Sequence, residues 1–140
     1  MSNFSHLDDK GNVRMVDVTE KVNSLRVAKA EGRIYMRPET IAAIQNDELP
    51  KGSVLTTAKV AGIQAAKKTA EIIPMCHQLN LSYVDIEFLI MSDYILIRSI
   101  VKTKEATGVE MEALSAVSNS ALTIYDMCKS IDKTMVIKDI

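Results

Sequence analysis

The sequence holds 140 residues, 47% of them apolar and 25% charged, with 5 glycines and 3 prolines, a balance that excludes disordered and collagen-like chains and fits one compact domain. A chain of this length hides roughly two-thirds of its unfolded surface on folding, enough for a sizeable core without metal or disulfide staples. The 17 Lys and Arg stand against 18 Asp and Glu, a formal charge of −1; the lack of a basic tail or stripe argues against a dedicated nucleic-acid or membrane-surface binder and makes any basic site local.

Residues 1–15 carry Ser, Asp, Asn and Gly without a period, so a flexible N-terminal arm is expected ahead of a single domain over residues 16–140. From Arg26 to Met36, the residues Ala28, Ala30, Gly32, Ile34 and Met36 alternate with Val27, Lys29, Glu31, Arg33 and Tyr35, the period of two of a half-buried strand. Pro38 suits the first turn of a short helix that carries Ile41 and Ile44 and stops in the polar run Gln45 to Glu48. Ser53 is placed to cap a longer helix that runs to about Ile73, where Pro74 ends it. Ala58, Ala61, Gly62, Ala65 and Ala66 make one side of that helix small, suited to close packing or to a ligand-facing surface.

Leu81 to Ile90 and Tyr94 to Lys104 read as two strands, and the short junction Met91 to Asp93 predicts an antiparallel hairpin. Thr107 to Glu110 fits a capping box at the start of a last helix. There Leu114, Val117, Ala121, Ile124, Cys128 and Ile131 step by three and four, predicting one core-facing stripe. Met135 to Ile137 reads as a final edge strand. The order strand, helix, helix, strand, strand, helix, strand predicts an α+β, ferredoxin-like antiparallel sheet with helices packed on one face.

No P-loop lysine motif, GxGxxG, HExxH or GxSxG occurs, and His appears only at positions 6 and 77. Cys76 and Cys128 lie far apart with no zinc-ligand spacing, so no metal site is expected and both are read as reduced thiols of a cytoplasmic protein. The polar N-terminus is unlike a signal peptide, and the longest apolar runs are too short to span a membrane. Lys51-Gly52-Ser53 precedes a predicted helix N-terminus, where N–H groups attract anions; a phosphate contact and a solvated loop lysine both fit. His77 falls at an element end, as a phosphate donor or proton carrier would. Cys76 beside it suits a structural thiol better than a nucleophile, whose base normally comes from elsewhere in the chain. Glu110 serves the capping box, whereas Glu112 is not required by it. Asp126 and Lys129 share a helix face, as a surface ion pair or, if enclosed, as a pair with shifted pKa suited to acid–base work.

Several long blocks carry a resemblance: Met15-Val16-Asp17-Val18, Lys51-Gly52, Ala61-Gly62-Ile63-Gln64-Ala65-Ala66-Lys67 and Ile73-Pro74-Met75-Cys76-His77. They continue in Thr107 to Leu114, Ala121 to Lys129 and Lys133 to Ile137. Together they resemble the molybdenum cofactor biosynthesis protein C family (MoaC), the cyclic pyranopterin monophosphate synthases, over nearly all of Met15 to Ile137. The resemblance implies a ferredoxin-like subunit in a homohexamer, a trimer of dimers with interface active sites. It implies conversion of 3′,8-cyclo-7,8-dihydroguanosine 5′-triphosphate to cyclic pyranopterin monophosphate with release of pyrophosphate. No cofactor is implied, although Mg²⁺ can accompany the triphosphate.

Carried over position by position, the resemblance implies Lys51, Asp126 and Lys129 as the acid–base core. Met75, Cys76 and His77 would line the substrate, and Met111 with Glu112 would hold its base; Glu110, Asp17, Arg26, Lys67 and Lys133 are further substrate-binding candidates. Two departures from the family pattern stand out. Gln78 replaces the usual Pro after the Cys-His pair, which implies a less rigid loop. The family's Lys- and Gly-containing tail beyond the last strand is not matched before Ile140, so lowered activity is expected if that tail supplies a lysine. Two competing readings are a non-catalytic nucleotide-binding regulatory module, which would bind without turnover, and a cyclohydrolase acting on GTP itself, which would carry zinc or a thiol ligand set.

Overall fold

Alternating small and charged residues let Ser24–Tyr35 (β1) lie flat on a core with one edge of its side chains in water. In chain order the remaining elements are Pro38–Gln45 (α1), Val54–Lys67 (α2), Thr69–Ile72 (α3), Leu81–Ile90 (β2), Tyr94–Glu105 (β3), Glu110–Cys128 (α4) and Val136–Lys138 (β4). This is a computed structural model describing residues 4–140; Met1 to Asn3, the start of the expected arm, lie outside the described residues. The sheet order is β2-β3-β1-β4 with every pair antiparallel, the expected α+β, ferredoxin-like arrangement. No helix among the described residues is long and apolar enough to cross a membrane.

The core forms where α2 and α4 cover one sheet face: Ile34, Ile86, Ile95, Ile97, Val117 and Ile124 are fully enclosed. Close packing explains the small side of α2. A methyl group on Gly62 would lie 2.2 Å from Ile86 Cδ1 and 2.9 Å from the Ala116 carbonyl oxygen, so only glycine lets α2, α4 and β2 approach this closely. Ser120 Oγ, on α4, donates to the Ala58 carbonyl at 2.9 Å across the same contact. The opposite sheet face is uncovered in the single chain, with Leu25, Val27 and Tyr83 exposed beside the Glu31–Arg98–Glu87 ion pairs.

Four sequence expectations are corrected. The helix expected to run to Ile73 breaks at Lys68, where φ reaches −108°, while Thr69 Oγ1 bonds back to the Ala65 and Ala66 carbonyls. Ser53 occupies the cap position of α2, but its hydroxyl bonds Thr56 Oγ1 instead of a backbone N–H. The capping box does not form: Thr107 Oγ1 donates to the Gly108 carbonyl, and α4 starts only at Glu110. Leu114 and Ile131, placed on the buried stripe, are 37% and 40% exposed, and Ala113, Ala116 and Met127 face the core in their stead. Val117, Ala121, Ile124 and Cys128 of the expected stripe are buried, so it keeps its direction and widens onto the small residues beside it.

Candidate active site

Two clusters gather nearly all the candidate residues, one at each end of α4. At its C-terminal end Asp126 projects between two ammonium groups. Lys129 Nζ stands 2.8 Å from Asp126 Oδ1, and Lys51 Nζ, from the loop before α2, stands 3.1 Å from Oδ2. All three side chains are about half exposed. The two lysines, Lys129 foremost, hold the Asp126 carboxyl below its ordinary range, and Asp126 in turn raises the Lys129 ammonium. At neutral pH the pair is therefore carboxylate and ammonium, and Lys129 is equipped to neutralise or protonate a departing anion more than to abstract a proton.

At the N-terminal end of α4, a cleft of about 660 Å³ is lined by Met75, Cys76, His77, Glu110 and Met111, with Val13 from the arm and Val16, Val18 and Lys21 just after it. The arm is locally ordered here. Leu7 and Val13 form an isolated antiparallel bridge, and Asp8 accepts the Lys10 and Asn12 N–H groups between them. His77 Nε2 lies 2.5 Å from the Val16 carbonyl oxygen; a carbonyl only accepts, so Nε2 carries a proton and donates it to this contact. Asp17 Oδ1 accepts the Thr19 hydroxyl and backbone N–H, and these bonds, helped by nearby His77, lower the Asp17 carboxyl.

Behind the cleft Glu112 is buried, with Oε2 3.8 Å from Cys76 Sγ and Oε1 without a partner. Burial raises the Glu112 carboxyl. Burial and the facing Glu112 push the Cys76 thiol up to about 11. A thiol held protonated this firmly suits packing and not nucleophilic attack. The Glu110 carboxylate folds back over Gly108, where a methyl group would stand 2.2 Å from its Oε2.

The remaining candidates join neither cluster directly. Arg26, half-buried, donates through Nη2 to the Ala106 carbonyl at 3.3 Å, and its buried Nε lacks a partner. Lys67 is exposed at the end of α2 and Lys133 is exposed beyond α4. Among the described residues, no group of three or more His, Cys, Asp and Glu is arranged to hold a metal ion. Sequence reasoning missed Val16, Val18 and Lys21 as cleft residues, because the aperiodic segment after the arm gives no signal of what it covers. It also missed Asp132, which is 1% exposed; the Asp-x-Thr spacing of Asp132 and Thr134, a turn signature, was the available clue.

The family model described as "MoaC family" matches residues 15–140. A "Molybdenum cofactor biosynthesis bifunctional protein" of Chlorobaculum tepidum is 63% identical over 137 residues, covering 98% of this chain and 44% of that protein. Two proteins named "Cyclic pyranopterin monophosphate synthase" are similar over most of both lengths. That of Desulfatibacillum aliphaticivorans is 54% identical, covering 100% of this chain and 89% of its own length. That of Chloroflexus aurantiacus is 55% identical, covering 98% and 85%. With residues 15–140 matched by the family model and relatives at 54% and 55% identity covered over most of both lengths, the chain belongs to the MoaC family.

Proposed function

We infer that the chain carries out the reaction its relatives are named for: formation of cyclic pyranopterin monophosphate, in molybdenum cofactor biosynthesis, from 3′,8-cyclo-7,8-dihydroguanosine 5′-triphosphate. The observation that carries this reading is the Asp126 carboxylate held between Lys51 and Lys129. A ribose hydroxyl forms a bond to the α-phosphorus, the bond from that phosphorus to the bridging oxygen breaks, and pyrophosphate leaves. Negative charge moves onto the leaving group, where the two lysines stabilise it; Asp126 orients them. The Asp126 carboxylate takes the hydroxyl proton and Lys129 supplies one to the departing oxygen; the protons exchanged as the purine-derived ring opens and closes pass through the same groups. A Mg²⁺ ion, where one accompanies the triphosphate, belongs to the substrate in this reading.

The cleft holds the ring end of the substrate: Met75, Cys76 and His77 along one wall, Met111 and Glu112 holding its base, with Glu110 and Asp17 as outer contacts; Arg26, Lys67 and Lys133 are further binding candidates. Glu112 and Asp126 lie on the order of 20 Å apart along α4 at 1.5 Å per residue. One chain cannot bring both clusters onto the same reacting atoms. A site shared between copies resolves this, in a homohexamer built from dimers, and the uncovered sheet face with Leu25 and Val27 offers apolar surface for such packing.

The test supplies the cyclised dihydro-GTP and follows pyrophosphate together with the fluorescent oxidised pterin. Both signals are expected. Binding without either, by folded protein, supports a nucleotide-binding regulatory module and removes the roles given to Lys51, Asp126 and Lys129.

A further inference from the structure

Asp132 takes no part in the chemistry above, yet its carboxylate is 1% exposed while Lys129 to Ile131 before it are exposed. Its oxygens are fully engaged. Oδ2 accepts the Arg37 N–H at 3.0 Å and the Thr40 hydroxyl at 2.8 Å. Oδ1 accepts the Thr134 N–H at 2.8 Å and the Thr134 hydroxyl at 2.6 Å, and Arg37 Nε stands 3.5 Å from it. The Arg37 guanidinium also donates through Nη2 to the Ile131 carbonyl. Arg37 occupies the cap position of α1 and makes no side-chain cap of its own; Asp132 satisfies that helix end from 95 residues away.

What hangs from each side of this tie is the triad. The turn at Asp132 closes the end of α4, with its N–H and that of Ile131 bonded to the Cys128 carbonyl, just beyond Asp126 and Lys129. On the other side α1 runs straight into the loop that carries Lys51. That loop is held to α1 by the Glu48 N–H on the Ala43 carbonyl and by buried Leu49, whose carbonyl accepts the Gly52 N–H. Lys51, Asp126 and Lys129 are about half exposed, and ion pairs in water hold their own geometry weakly. A precise triad therefore needs support from the segments beneath it.

We propose that Asp132 is a positioning residue: gripped by Arg37, Thr40 and Thr134, it fixes the α1–Lys51 segment against the end of α4 and so sets the Lys51–Asp126–Lys129 geometry. The catalytic consequence rests on the function proposed above; the geometric one does not.

The test compares the wild-type assembly with Asp132→Asn, which keeps the shape but turns an NH₂ group toward donors. Thr40→Val, which removes one donor at nearly constant shape, serves as a second, milder variant that keeps its fold if the first does not. Limited acetylation at neutral pH, read by peptide mass spectrometry, gives the labelling of Lys51 and Lys129 relative to Lys59. Lys59 is the control because it pairs with Asp85 at 3.0 Å outside the tied segments. The proposal expects this ratio to rise about threefold or more as the pairs loosen, and kcat to fall roughly tenfold with KM nearly unchanged. Loss of thermal stability with an unchanged labelling ratio in the folded variants makes Asp132 a staple only and overturns the proposal. A shifted ratio in an assembly whose wild type shows no turnover supports the positioning role while refuting the proposed function.

Discussion

Lys51 Nζ reaches Asp126 Oδ2 at 3.1 Å across 75 positions of sequence, and Lys129, three residues on, takes the other oxygen. One carboxylate thus fixes two ammonium groups side by side, from a loop and from a helix end. Such a pair of cations, with a counter-ion holding their spacing, suits a reaction that expels a highly charged leaving group.

Lys51→Ala and Lys129→Ala are each expected to lower kcat by about 100-fold or more. Their melting temperatures should stay within about 2 °C of wild type, because exposed ion pairs contribute little to stability. Turnover and thermal melts on the same preparations check this, and a variant with full turnover removes that lysine from the mechanism.

Glu112→Gln separates binding from stability. Burial foremost, aided by Glu110, raises the folded-state carboxyl above its ordinary 4.5, so the folded protein holds this proton more tightly than the unfolded chain. Stability from this group is therefore lost as pH rises from about 4.5 through the raised value. The variant should lack that decline, melting at or above wild type at pH 7, while its KM rises through loss of a ring contact. A melting temperature lower than wild type throughout would show that the carboxylate itself supports the fold.

Cys76 is expected to be chemically quiet. With its thiol pushed up to about 11, roughly one molecule in a thousand is thiolate at pH 8. Alkylation by iodoacetamide should be slow there and accelerate about tenfold per pH unit up to pH 10. Cys76→Ser should keep kcat within about fivefold of wild type; a folded but inactive variant would restore a chemical role for the sulfur.

For Asp132, burial would raise the carboxyl, but bonds from Thr134, the Arg37 N–H and Thr40 outweigh it and hold the group well below the carboxylate range. Its stabilisation is therefore complete above the unfolded value near 3.9 and is lost as the pH falls below it. Asp132→Ala should cost about 2–4 kcal/mol at pH 7, leaving buried donors unpaired. Denaturant melts at pH 7 and at pH 2.5 should show the difference from wild type shrinking in acid.

The sheet was legible because its signal is local: alternation in β1 states which side chains are buried whatever lies elsewhere, and the short Met91 to Asp93 junction pairs β2 with β3. Helix ends were less legible. Ser53 and Thr107 carry the right chemistry for caps, but each finds a nearer partner in Thr56 Oγ1 and the Gly108 carbonyl. On α4 the expected stripe holds at Val117, Ala121, Ile124 and Cys128 and fails at Leu114, where Ala113 and Ala116 take the buried positions beside it. Of the site, the residue types were readable and the resemblance named them, but spacing alone could not pair Lys51 with Asp126. The arm's place over His77 and the burial of Asp132 are likewise long-range facts, invisible to periodicity.

The most direct test of the account is complementation between subunits. Lys51→Ala and His77→Ala each damage one cluster, and each alone is expected to be nearly inactive. When both are co-expressed in one assembly, sites shared between copies predict recovery to about one quarter of wild-type pyrophosphate release by random pairing across a two-fold interface. Mixed assemblies as inactive as either parent would contradict a site built from the two ends of α4 in neighbouring chains.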